Sequence, residues 1–133
     1  MIDIENEIFT AISKAVLAKF PKAKMSPETI LSPSVFPCVC AEEADNYAVT
    51  STQDSGSNEN HANVMYEVNI YSNKVGGKKA ECKAILKIID GVFSDFGFTR
   101  TGMNPIPMND PTKYRLFARY KAVVSKNKTI YRR

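Results

Sequence analysis

The change of hydrophobic period between residues 64 and 96 constrains this chain more than any other feature. Val64, Tyr66, Val68 and Ile70 alternate with Met65, Glu67, Asn69 and Tyr71, the period-two pattern of a half-buried antiparallel strand. Ser72, Asn73, Gly76 and Gly77 then punctuate the chain, and over residues 78–96 the spacing turns helical. Ala80, Ala84, Ile85, Ile88, Ile89, Val92, Phe93 and Phe96 form a broad apolar stripe, and Gly97 is a natural left-handed stop. A strand and a helix with one apolar face each must bury those faces in a layered fold. Gly91 inside the helix costs about 1 kcal/mol against alanine; a close helix–sheet approach would explain it.

The flanking segments extend this pattern. Residues 3–20 read as an amphipathic helix with Ile4, Ile8, Ala11, Ile12, Ala15 and Ala18 in register, widened by Phe9, Val16 and Phe20. Asp3 is the expected N-cap, and Pro21 ends the helix. Residues 22–34 contain Pro27 and Pro33 and are expected to be extended or turning. Residues 35–41 read as a short apolar strand; Pro37 makes it an edge strand or marks its start. The polar stretch 42–63 is either an extended hairpin, with residues 47–52 in one arm and a mobile tip, or a mobile loop that orders on a partner. Residues 98–102 suggest another strand, followed by a turn-rich run at 104–111. Over 114–124, Tyr114, Leu116, Ala118, Tyr120, Ala122 and Val124 share one face, with Arg115, Phe117, Arg119, Lys121 and Val123 on the other. A turn at 125–128 and a short strand at 129–131 close the chain. These elements predict one α+β domain over residues 1–133. It is a two-layer sandwich, an antiparallel sheet with two helices packed on one face, in the order α-β-β-β-α-β-β.

Charge is unevenly distributed. Residues 1–60 hold four lysines and nine acidic residues, whereas residues 61–133 hold fourteen Lys/Arg and five acidic residues, giving −5 and +9 within a net charge of +4. Such asymmetry suggests two unlike contact surfaces or head-to-tail self-association; clustering of charges on solvated faces is the plainer explanation. No apolar run approaches the roughly 20 residues of a membrane span, and residues 1–5 lack the basic and apolar regions of a signal peptide. A cytosolic chain is expected. Three cysteines cannot all pair within it, and Cys38, Cys40 and Cys82 are expected to be buried structural thiols.

Motifs that carry chemistry are weak. Gly76-Gly77-Lys78-Lys79 lies between strand and helix but lacks phosphate-loop spacing. The only histidine, His61, sits in a polar run and is expected at the surface. Glu42, Glu43 and Asp45 match no calcium-loop spacing and read as a solvated acidic loop. No catalytic, metal or cofactor site is expected. From Lys113 to Arg133 there are eight Lys/Arg and no acidic residue. Arg115, Arg119 and Lys121 project from one strand face around Phe117, a combination suited to a protein interface or to nucleic acid.

Taken in order, several segments resemble the tail terminator (tail completion, minor capsid) proteins of long-tailed phages and phage-like particles. They are the helix ending at Phe20-Pro21; Phe36-Pro37-Cys38-Val39 with the acidic, Asn/Ser-rich stretch after it; and residues 66–73 running through a Gly/Lys turn into the second helix. Phe96-Gly97-Phe98-Thr99-Arg100, Asn109, Tyr114-Arg115 and Arg119-Tyr120 complete the series. The resemblance implies a ring, a hexamer, that caps the tail tube, ends its polymerisation and presents a docking surface to the neck connector, or to the sheath in a contractile particle. DNA would only transit the lumen, with no membrane partner, and the protein would occupy the host cytoplasm during assembly and then the particle tail. The candidate interface residues are Arg115, Phe117, Arg119, Lys121, Glu42, Glu43, Asp45 and Tyr47. The competing expectations are another head–tail connector or minor capsid component, and a small basic nucleic-acid-binding module.

Overall fold

The computed structural model describes residues 1–48, 61–125 and 130–131. Its elements run α1 (Glu5–Lys19), β1 (Lys24–Ser26), β2 (Cys38–Ala48), β3 (His61–Ser72), α2 (Lys78–Phe96), β4 (Thr99–Ile106), β5 (Tyr114–Ser125) and β6 (Ile130–Tyr131). The strands form one sheet in the order β1-β2-β3-β5-β4, with β6 paired to β5. Both helices pack on one face, so the fold is the expected two-layer α+β sandwich.

The sheet is mixed, which corrects the expectation of purely antiparallel pairing. β1 runs parallel to β2, with Lys24 opposite Cys38 and Ser26 opposite Cys40. It falls in the proline-containing segment expected to be extended or turning, and its three residues are too few to show a period. β1 also gives β2 an outer neighbour there. Pro37 precedes the first residue of β2, as its missing N–H requires. The hairpin is present in its described part: β2 continues to Ala48 and pairs with β3 as far as Ala48↔Ala62. Its tip lies outside the described residues, as do residues 126–128 of the turn expected at 125–128, whose first residue, Ser125, ends β5. β4 extends through Pro105 to Ile106, so the first three residues of the expected turn-rich run are strand. Pro105 is tolerated because β4 is an edge.

The alternation of β3 and β5 explains why one core suffices. Val64, Tyr66, Val68 and Ile70 of β3, with Leu116, Ala118, Tyr120, Ala122 and Val124 of β5, join Ile8, Ile12 and Val16 of α1 and Ile85, Leu86, Ile89 and Phe93 of α2 in one buried cluster. Ala18, Ala80 and Ala84 belong to the expected stripes but face solvent. Phe93 stacks on Tyr120 with ring centroids 4.1 Å apart, and Tyr66 and Phe98 pack around them. The Tyr120 hydroxyl donates to Asp90 Oδ1 at 2.8 Å, and Arg100 Nη1 donates to the same oxygen at 2.9 Å. Burial, and then the Asp90 carboxylate, push the Tyr120 hydroxyl well above its ordinary pKa.

The helix ends are partly as expected. Gly97 has φ 91°, and the N–H groups of Gly97 and Phe98 return to Ser94 and Phe93. At α1 the cap position is Ile4, not Asp3; the Asp3 carboxylate instead accepts from the Glu5 N–H at 3.0 Å. Gly91 makes no close approach to the sheet. It is exposed, and a Cβ there would meet nothing within 4 Å. Gly91→Ala should therefore raise stability by about 1 kcal/mol, seen as a rise of about 3–5 °C in Tm; thermal unfolding by circular dichroism checks this.

Candidate functional site

Because side chains alternate across a strand, the face of the sheet away from the helices is built from the other half of each strand. Register places Glu42, Glu67 and Arg119 in one row and Asp45, Met65 and Lys121 in the next. A third row holds Cys40, Asn69 and Phe117, and a fourth holds Cys38, Tyr71 and Arg115. Carboxylates thus lie toward β2 and cations toward β5.

Seven of the eight candidate interface residues share this face: Arg115, Phe117, Arg119, Lys121, Glu42, Asp45 and Tyr47. Glu43 does not. It pairs with Tyr66 on the helix side. A bulge between Glu43 and Asp45 adds one residue, which returns Asp45 and Tyr47 to the open face. The acidic residues are therefore strand residues and not a solvated loop. Tyr47 is 46% exposed, whereas Glu42 is half-buried and accepts from the Thr29 hydroxyl at 3.0 Å. His61 is also half-buried at the root of β3, so the expectation of a plain surface histidine does not hold.

The basic residues are held by neighbours that the sequence did not single out. Arg119 Nη2 donates to Glu67 Oε2 at 2.7 Å, and its guanidinium lies 5.5 Å from the Phe117 ring centroid. Arg115 Nε donates to Asn69 Oδ1 at 2.9 Å and sits 5.3 Å from the Tyr71 ring centroid. Asn69 and Tyr71 are themselves buried. Both arginines are thus set at fixed positions on an aromatic and amide floor. The exposed Arg119–Glu67 pair stabilises the fold only slightly, since such pairs contribute roughly 0–1 kcal/mol. Its main effect is to orient Arg119.

One end of the open face is closed by a small second cluster. Cys38, Cys40 and Tyr71 are buried beneath Ile30, Phe36 and Met108. The two sulfurs lie 4.0 Å apart, and their hydrogen bond, together with burial, pushes the Cys38 thiol far up. Burial also raises the Cys82 thiol to about 12. All three cysteines are free and buried. Among the described residues, no group of three His, Cys, Asp or Glu side chains is arranged to hold a metal ion, and no helix is long and apolar enough to cross a membrane.

Glu43 has a different neighbourhood, an open groove of about 410 Å³ that it lines with Asp3, Glu5 and Asp45. Burial, and secondarily the charges of Glu5 and Asp3, raise its pKa above the ordinary 4.5, against the opposing hydrogen bond from Asn46. Fold and open face together define a small α+β sandwich with a charged, aromatic-lined sheet surface. The chain matches no model of a known protein family and no curated protein.

The pH dependence follows from the sign of the Glu43 shift. A carboxyl whose folded pKa lies above its unfolded value gives the fold an advantage that is full below the unfolded pKa and lost as pH rises through the folded one. Glu43→Gln should therefore stabilise the protein at pH 7 and give no gain below about pH 4. Urea unfolding of both proteins across pH 3.5–7 checks the crossover.

Proposed function

We propose that this protein is a structural assembly subunit that forms a ring on the end of a phage or phage-like tail tube. It would end tube polymerisation and present a docking surface to the neck connector or, in a contractile particle, to the sheath. The observation that carries this reading is the open sheet face, where Arg115, Phe117, Arg119 and Lys121 stand in register beside Glu42, Asp45 and Tyr47. Arginine and aromatic side chains fixed on a rigid sheet are the composition of protein-interface anchors. The division of charge across that face suits a subunit that must meet two unlike neighbours. The order of segments that resembles tail terminators supports the same reading. On it, the protein works without catalysis or cofactor, and DNA only passes through the lumen.

Two measurements test this. Negative-stain imaging of the purified protein with tube protein should show closed rings at tube ends and tubes of arrested length. Reversal of charge at Arg115, Arg119 and Lys121 together should weaken tube or neck docking by roughly a hundredfold while leaving the unfolding transition intact. A strict monomer that neither joins tubes nor limits their length, and that binds oligonucleotide with a steep salt dependence, would overturn the reading in favour of a nucleic-acid module.

A further inference from the structure

The sheet ends on two different edges. β1 covers β2 only at Cys38–Cys40, so among the described residues the remainder of β2 has no outer neighbour. At the opposite edge, β4 pairs only with β5. Both edges are blunted against direct strand pairing. β2 is bulged between Glu43 and Asp45, and β4 is bulged between Arg100 and Gly102 and contains Pro105. A partner on either edge must therefore be held mainly by side chains.

The side chains at the two edges are complementary. At the β2 edge, Asp3 and Glu5 from the start of α1 converge with Glu43 and Asp45 on one open groove. At the β4 edge, Lys83, Leu86, Lys87 and Asp90 of α2 and Arg100 and Met103 of β4 line a second groove of about 220 Å³. Arg100 is already paired with Asp90. Lys83 and Lys87, one turn apart on the exposed side of α2, form no ion pair among the described residues. Lys78 and Lys79 continue the basic track to the start of the helix. The basic groove also has an apolar component: Met103, 43% exposed, lines it together with Leu86.

We propose that these edges are the two halves of a contact between copies of this chain, the Asp3/Glu5/Glu43/Asp45 edge of one copy seated on the Lys83/Lys87/Met103 edge of the next. The two patches lie at opposite ends of one strand order, so the contact is head-to-tail. A repeated head-to-tail contact closes into a ring or grows as a filament. Complementary charge selects the orientation, and Met103 supplies apolar area at its centre. The inference deepens the ring reading and rests on it only for closure, because apart from Asp45, which borders both surfaces, the open sheet face is left free for tube and neck.

Sedimentation of the full chain in low salt and in about 1 M salt, where charges are screened beyond roughly 3 Å, tests the contact. Self-association should weaken in high salt. Asp3→Lys with Glu5→Lys, and separately Lys83→Glu with Lys87→Glu, should each weaken it by at least about tenfold. An equal mixture of the two variants should associate again, since the lysines introduced at the acidic edge of one then meet the glutamates introduced at the basic edge of the other, and the two unaltered edges still match. That recovery also shows that both variants fold. A parent that stays monomeric at every concentration, variants that assemble like the parent, or a mixture that fails to associate would overturn the proposal. So would loss of oligonucleotide binding in the lysine variant of a chain that never self-associates. Rings that still cap tubes after edge reversal would sink this contact and leave the ring function standing. Copies that join through these edges without arresting tubes would do the reverse.

Discussion

The stack of Phe93 on Tyr120 fixes the position of α2, and with it most of what the surface can do. The two rings lie nearly parallel, at 14°, and Tyr66 and Phe98 close around them from β3 and the end of the helix. Such a cluster contributes both buried area and ring geometry, and it joins residues far apart in the chain. With α2 docked there, the same alternation that sends Tyr120 inward sends Arg119 and Lys121 outward. Core and candidate site are thus two sides of the same strands.

Asp90 links the cluster to the periphery. Its carboxylate accepts from Tyr120 inside and from Arg100 outside, so a buried hydroxyl and an edge arginine share one oxygen. That arrangement satisfies the Tyr120 hydroxyl, whereas the buried Tyr66 hydroxyl has no hydrogen-bond partner among the described residues. It also takes Arg100 out of the free charge of the β4 edge, leaving Lys83 and Lys87 as the cations that face outward.

The two surfaces divide the work physically. The open face is a set of paired, oriented groups: Arg119 on Glu67, Arg115 on Asn69 and Tyr71. Groups held in advance lose little freedom on docking, which favours a specific, geometrically defined contact. The edges are a pair of grooves with opposite charge at bulged strands. Charge in such positions steers and orients association more than it strengthens it.

The sequence by itself determined what depends on neighbours in the chain. The period-two run at 64–71, the helical stripe ending at Phe96-Gly97 and the alternation of 114–124 each state which side of an element is apolar, and a strand or helix must bury that side. Four of the eight candidate residues, Arg115, Phe117, Arg119 and Lys121, could be placed on one face for the same reason, whereas Glu42, Asp45 and Tyr47 joined them only through the register and bulge of β2. Tertiary structure decided what depends on partners. Three-residue β1 has no period to read and exists because β2 pairs with it in parallel. The bulge at Ala44 is a mismatch between two strands, invisible in either alone, and it sends Glu43 to the opposite face from Asp45. Glu67 and Asn69 became part of the site only when β3 and β5 came into register, and the opposition of acidic and basic edges appeared only when the strands took their order in the sheet.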